Sequence, residues 1–419
     1  MLCGAGRRVI NPEIGHKLAG YGPDYPNQGV HDDIVVTALF LQQGERQALV
    51  LSFDLIGLSG ALNLSIRQAV SKATGVPLEH VHLTTTHVHS GPEVRTFFYE
   101  TGPAQRCRAD YNERLIQWAC QGAVDAKASA QECDVFYNFT FEAVNMNRRY
   151  CFPDRRWLYI PNNKQLAGQS YEFVDRELGV IGFRKKGTRN QYQAVLTNYP
   201  AHPLCVGNSA NLVSADYQGA LRRTVEETFT GSLCVTTTGP AGDMHPLMPE
   251  SGFASAMTMG QTLGRSAICR LYDAVKLQVD EELRIAYEPL ALPVKDQATA
   301  DLLPDVAMRT LPDAAIKGAK EIATHVSLLG IGPVLLVGVP GELLAEPAAM
   351  IKWSSPFLRT YILFQATDSV GYIPSRNQYM WGGYEPSSSP LAAGAAEKLV
   401  GAVLESAHRL LAAQPLKLE

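Results

Sequence analysis

Three features of this chain predict an α/β protein, mixed α+β in detail, built around a mixed β-sheet. Hydrophobic residues make up 46% of its 419 residues and charged residues 19%, which supplies enough apolar side chain for a large buried core. Strand-like and helix-like segments alternate through the first half and mix in the second, as expected of helices packed on a sheet. No internal repeat or low-complexity linker interrupts the chain, so one large domain over residues 1–419 is expected.

Taken in order, residues 48–57 and 79–87 read as strands, because both are apolar and rich in β-branched side chains. The segment between them, ALNLSIRQAVSKATGVP, reads as a helix closed by Gly75 and Pro77. A strand–helix–strand unit of this kind carries parallel strands. Residues 108–128 show helical spacing of Tyr111, Leu115, Trp118, Ala119 and Ala123. Residues 133–148 and 178–200 read as strands joined by a polar, aromatic loop. ADYQGALRRTVEETF reads as a helix, SLCVTTTG as a buried strand, and 254–276 as a further helix. Residues 283–294 read as strand and 297–324 as mainly helical. THVSLLGIGPVLLVGVPG reads as a hairpin turning at Gly330 to Pro333, and a last helix spans about 390–413.

Composition removes several function classes. The formal net charge is -4 and basic residues do not cluster. No nucleic-acid footprint or polybasic membrane patch is present. No stretch approaches the ~18 uninterrupted apolar residues of a membrane span, and the first residues lack an apolar signal-type segment. A cytoplasmic protein is expected. The eight cysteines are scattered without a C-x-x-C, which suits thiols in a reducing compartment and argues against a zinc knuckle. No G-x-G-x-x-G or P-loop run follows a strand, so nucleotide binding ranks low. A homo-oligomer stays open.

The run HLTTTHVHSGPE, residues 82–93, carries the most chemistry. Its strand ends at Ser90-Gly91-Pro92. Residues two apart on a strand share a face, so His87 and His89 are expected to point the same way where the chain turns. Two imidazoles there suit a divalent metal or a general base, although a short H-x-H pair more often binds nothing. His202 also ends an apolar run, before Pro203. Glu342 follows Pro340-Gly341 after the apolar VLLVGV, and a buried carboxylate needs a partner, a metal or an arginine.

The run THVHSGPE closely resembles the THTHSGPGG signature of the neutral/alkaline ceramidase family. Further blocks resemble that family in its own order: GRRVINPEIGHKLAGYG, LVLSFDLIGLS, NMNRR, TNYPAHP with LVSADYQG, TGPAGDMHP, VPGELL and SVGYIPSRNQY. The blocks run from near residue 6 to near 385. The resemblance implies the catalytic domain of that family, without its C-terminal sandwich domain. It implies one Zn2+ held by His87, His202, Glu342 and Tyr372, with Tyr379 and Tyr384 close to the last in sequence. It implies that Arg148 contacts substrate; otherwise Arg148 is a surface arginine. His89 would hydrogen-bond the substrate or its oxyanion, or orient a ligand. Asp54 and Asp216 are candidate partners of the histidines, and Asp216 equally a helix cap.

The chain departs from the family at one loop. Where the family has G-D-x-S-P, this chain reads Gly242-Asp243-Met244-His245-Pro246. A serine role does not transfer. His245 would serve as a general acid, as a further ligand, as a selector of substrate, or only as a brace for the loop. The aromatic segments 95–99 and 150–159 would wall the pocket or join the core. The expected activity is a zinc-dependent hydrolase cleaving an amide bond of a small metabolite. The alternatives are an ester or lactone hydrolase, and a non-catalytic metal- or ligand-binding protein.

Overall fold

The computed structural model describes residues 1–20, 26–95, 103–151, 157–159, 172–207, 211–248, 250–278, 283–302 and 319–413. The expected aromatic wall at 96–99 lies outside these residues, as does most of 152–171. Among the described residues the protein is mixed α/β, as its composition and alternation predict.

Four layers are stacked. A nine-stranded mixed sheet runs in the order Leu233–Thr238, Tyr192–Tyr199, Glu177–Lys185, Gln131–Phe141, Leu2–Val9, Val35–Gln43, Arg46–Phe53, Val81–Thr85, with Val275–Lys276 added beside Gln131–Phe141. Helices Gly60–Thr74, Pro103–Ala128, Asp216–Thr228 and Phe253–Tyr272 cover its outer face. Its inner face meets a second sheet of four strands, Arg284–Pro293, Glu321–Ile331, Val334–Gly338 and Arg359–Leu363. Helices Ala345–Ser354 and Ala395–Ala413 cover the far side of that second sheet.

Side-chain alternation builds these layers. Val36, Ala38 and Phe40 face the outer helices, while Leu39 and Leu41 face the second sheet. Likewise Leu328 and Leu335 meet the last helix, while Leu329 and Leu336 meet the first sheet. Strands buried on both faces read as unbroken apolar runs, as LVLSF and VLLVG do here.

The strand–helix–strand unit is present as expected. Arg46–Phe53 and Val81–Thr85 pair in parallel, with helix Gly60–Thr74 between them, Ser59 capping its start and Gly75 its end. The hairpin at 321–338 is also present, with Ile331 opposite Val334 across the two-residue turn Gly332-Pro333. Three expectations change. The sheet is not alone, because the strands after residue 283 form their own sheet. The stretch 178–200 is two antiparallel strands, not one. Helix at 297–324 is confined, among described residues, to Gln297–Asp301, and 321–324 belong to a strand. Isolated helix propensity loses there to ladder pairing with Arg284–Pro293.

Curvature of the large sheet positions the site. Its two edges, ending in Thr238 and Thr85, come together. Ser52 Oγ donates to Thr236 O at 2.6 Å, and Thr238 Oγ1 to Thr86 O at 2.7 Å. Phe364, after the last strand of the second sheet, is wedged between them: its N–H donates to Thr238 O, and its carbonyl accepts from Thr84 Oγ1. The loops after four strands therefore converge at one rim.

Candidate metal centre

His87, His89, His202 and Glu342 meet at this rim. His87 and His89 do not meet by strand alternation. The strand ends at Thr85, and His87 takes a left-handed backbone with φ 66°. This correction has a physical reason. The chain must turn sharply toward Ser90, and a non-glycine residue in that region is retained where the surroundings impose it. The turn still brings His89 Nε2 to 3.4 Å from His87 Nε2. Gly20 has φ 83° and packs on the His89 ring; a Cβ at position 20 would lie 2.2 Å from His89 Nδ1.

His202 follows strand Tyr192–Tyr199. Its N–H donates to Met244 O at 3.0 Å, which ties it to the Gly242–Pro246 loop. Glu342 begins a two-residue strand, Glu342–Leu343, that pairs in parallel with Tyr372–Ile373. Glu342 stands directly beside Tyr372 in that ladder, so residues 30 positions apart share one edge of the site.

The hydrogen bonds decide what these groups present. His87 Nδ1 donates to Ile56 O at 2.6 Å, and His202 Nδ1 donates to Ala241 O. A carbonyl only accepts, so both protons sit on Nδ1 and both Nε2 atoms carry lone pairs. Those Nε2 atoms lie 3.1 Å apart. Glu342 Oε2 lies 3.5 Å from the first and 3.4 Å from the second. It is buried and has no hydrogen-bond partner. Lone pairs that close repel one another unless a cation sits between them. The donor set, imidazole nitrogen with carboxylate oxygen, and carbonyl partners behind the rings fit a divalent metal such as zinc. Among described residues, His87, His89 and His202 form a group whose ligand atoms lie within 4.8 Å of one another. Phe364 closes the floor, its ring 5.0 Å from that of His87.

Burial lowers two of the imidazoles. It drives His202 down to about 3, with the Arg148 charge adding to it, and takes His89 well below its ordinary value, with His87 and His202 adding to it.

Arg148 is not a surface residue. It is 2% exposed. Its Nε donates to Glu385 Oε1 at 2.7 Å, and its Nη2 to Gly242 O at 2.8 Å and to Tyr372 OH at 3.1 Å. Arg149 donates to the other oxygen of Glu385 at 2.8 Å. Glu385 therefore anchors the arginine that touches Tyr372, a residue that reading the sequence missed. Glu93 with Arg95 makes a second, partly buried pair, Nε to Oε1 at 2.8 Å, and Arg95 reaches Ser369 Oγ at 3.4 Å.

The two aspartates support the site from behind and do not touch the histidine rings by any described bond. Asp54 pairs with Arg222 at 2.9 Å and accepts from Thr86 Oγ1. Asp216 accepts from the backbone of Cys205 and Val206, just after His202, and from its own helix at Tyr217. Asp243 accepts from Asn147 Nδ2 and from Ala345 N, holding the arginine strand and the glutamate loop together.

His245 lies in strand Met244–Pro246, opposite Met146, outside the three-histidine group. Burial lowers it to about 4. Its Nδ1 lies 3.0 Å from Pro246 O, so it donates there and leaves Nε2 as an acceptor. At neutral pH it holds no extra proton to give.

These histidines make stability depend on pH. His82 and His202, near 3, His245, near 4, and His89 bind protons in the unfolded chain near 6.5. Below pH 6.5 the unfolded chain takes up more protons, so stability falls with pH through that window. His82, His202 and His245 each contribute a loss of about 2 kcal/mol by pH 5, and His89 acts in the same direction. Asp216, pushed up by burial to about 6, and Asp243, pushed up to about 7, act oppositely, because the folded chain keeps their protons. Four histidines outweigh two aspartates. Metal-free protein is therefore expected to melt lower at pH 5 than at pH 7.5; an equal or higher melting temperature at pH 5 would refute this assignment.

No protein-family model matches the chain, and no curated protein sequence does. Solved structures do match in fold. The neutral ceramidase from Pseudomonas aeruginosa aligns with a TM-score of 0.76 at 16% identity, covering 100% of this chain and 75% of that one. A ceramidase complexed with C2 aligns with the same TM-score and identity, covering 100% of this chain and 76% of its own.

Proposed function

From the fold of neutral ceramidase, which this chain has, we propose a zinc-dependent hydrolase that cleaves an amide bond of a small-molecule substrate in a single catalytic domain. One observation carries the reading: the buried Glu342 Oε2, without a hydrogen-bond partner, faces two imidazole lone pairs whose protons are held elsewhere by carbonyls.

His87, His202 and Glu342 would hold the ion, with Tyr372 completing the set. A zinc ion there would supply a more acidic water and a polarised substrate carbonyl. The chain's own groups do the rest. Arg148 holds the Tyr372 oxygen in place and is itself aimed by Glu385. His89, kept neutral by burial, hydrogen-bonds the substrate oxygen as charge develops on it. His245 offers an acceptor where the family places a serine, and so selects a substrate carrying a donor near the scissile bond. Among described residues no helix is long and apolar enough to cross a membrane. A cytoplasmic location remains part of the proposal.

The test is metal analysis of the purified protein, followed by hydrolysis of matched N-acyl amides, esters and lactones. One zinc per chain and a preference for amides are expected. His245→Ala is expected to retain zinc and lose about 10-fold in kcat/KM, the scale of one hydrogen bond to substrate. Absence of metal, or a panel in which only esters or lactones turn over, would overturn the reading.

A further inference from the structure

We propose that Gln365 is a positioning residue of the metal centre, which accepts a hydrogen bond from His87 Nδ1 and so helps Ile56 O to hold the proton of that imidazole away from the metal. The inference rests on the metal reading above. No block singled out in the sequence contains Gln365.

Four observations carry it. Gln365 is fully buried, at 0% exposure. Its backbone is left-handed, φ 44°, a conformation that a side-chain-bearing residue keeps only where its surroundings impose it. The chain leaves room for its amide: a Cβ at Gly57 would lie 2.2 Å from Gln365 Oε1 and 2.9 Å from Ser369 Oγ. Gly57 adjoins Ile56, whose carbonyl accepts from His87 Nδ1 at 2.6 Å. Finally, the amide Nε2 lies 3.2 Å from that same Nδ1, while Oε1 is buried without a partner.

The polarity settles the arrangement. Nδ1 carries a proton, because it faces the Ile56 carbonyl at short range. An NH2 group facing that N–H sets donor against donor, while the amide oxygen accepts nothing. The two ends of a primary amide have the same shape, and hydrogen bonding decides between them. Turned end for end, the oxygen accepts from Nδ1–H, and the NH2 moves into the space beside Ser369 Oγ. Both mismatches disappear. His87 then has two acceptors behind it, Ile56 O and Gln365 Oε1. Its Nε2 lone pair stays directed at His202 Nε2 and Glu342 Oε2. Partners behind a ligating imidazole set its orientation and tautomer, and through these its affinity for metal.

The experiment compares wild type, Gln365→Leu and Gln365→Glu. Leucine fills the space without an acceptor; glutamate keeps one. Zinc affinity is measured by competition with a chelator. In metal-free protein, imidazole 15N shifts report the tautomer of His87. Gln365→Leu is expected to bind zinc about 10-fold more weakly or worse, and, with Ile56 O left as the one acceptor behind the ring, to populate the Nε2–H tautomer more than wild type does. Gln365→Glu is expected to stay within a few-fold of wild type. Gly57→Ala, which displaces the amide without altering it, is expected to mimic the leucine variant and carries the test if that variant does not fold. Wild-type zinc affinity and tautomer in Gln365→Leu would overturn the inference, as would equal losses in Leu and Glu, which mark a role in shape alone. A wild type that binds no zinc would defeat the metal reading separately, and the tautomer populations would still decide this one.

Discussion

Replacing His202 with alanine is expected to remove zinc and hydrolysis together. His202 Nε2 stands 3.1 Å from His87 Nε2 and 3.4 Å from Glu342 Oε2, so it touches both other members of the centre. Its Nδ1–H is already committed to Ala241 O, so no other ring atom can substitute. The position is 0% exposed, and water cannot fill it from bulk without opening the site. Without this imidazole, an ion there would keep the carboxylate, the Tyr372 oxygen and one well-placed nitrogen, and would lose one of the two imidazoles that zinc accepts readily. Loss of kcat/KM by about 10³-fold or more is expected, a barrier increase of about 4 kcal/mol. The melting temperature of the metal-free variant should change far less than that of the zinc-loaded protein, because zinc bound only to the folded chain stabilises it. Full zinc occupancy in His202→Ala, by metal analysis, would sink the assignment.

Replacing Glu385 with alanine is expected to be among the most destabilising single changes in the molecule. Its two carboxylate oxygens accept from Arg148 at 2.7 Å and Arg149 at 2.8 Å, and all three side chains are 2% exposed or less. Burial alone would raise the Glu385 pKa, but the two guanidinium groups outweigh it and hold it low. Removing the carboxylate leaves two buried cations without their counter-charge. That situation costs about 3–5 kcal/mol. The pair's contribution is complete above the ordinary carboxylate range and is lost as pH falls through the depressed folded value. Arg148 would also lose the contact that aims it at Tyr372, so kcat should fall even where the variant remains folded. Urea denaturation at neutral pH measures the first effect. A loss below about 1 kcal/mol would show that Arg149's other partners, Gly382 O and Glu172, suffice.

Local patterns were legible where the physics is local. The apolar runs with period two, the Ser59 and Gly75 ends of one helix, and the 332–333 turn all follow from short-range sterics and hydrogen bonds. The H-x-H pair was legible as a pair, yet for an incomplete reason: the histidines meet across a left-handed turn at His87. The partnership of Arg148 with Glu385 was hidden because it spans 237 residues, and nothing in either neighbourhood announces burial. Gln365 was hidden likewise, since a single glutamine in an apolar segment carries no pattern. His245 was visible as a departure from the family loop, but its low pKa follows from burial, which sequence spacing does not report.

The sequence by itself determined the class of fold, the strand–helix–strand unit, and which residue types end the apolar runs. Those outcomes depend on composition and on side-chain periodicity, which act within a few residues. The tertiary structure alone decided that the first sheet curls until its edges meet at Phe364. It alone set Glu342 beside Tyr372 in a parallel ladder, and turned the Nδ1 protons of two histidines toward carbonyls. These are contacts between segments tens to hundreds of residues apart. Their geometry is set by packing two sheets against each other, a condition that no single stretch of sequence contains.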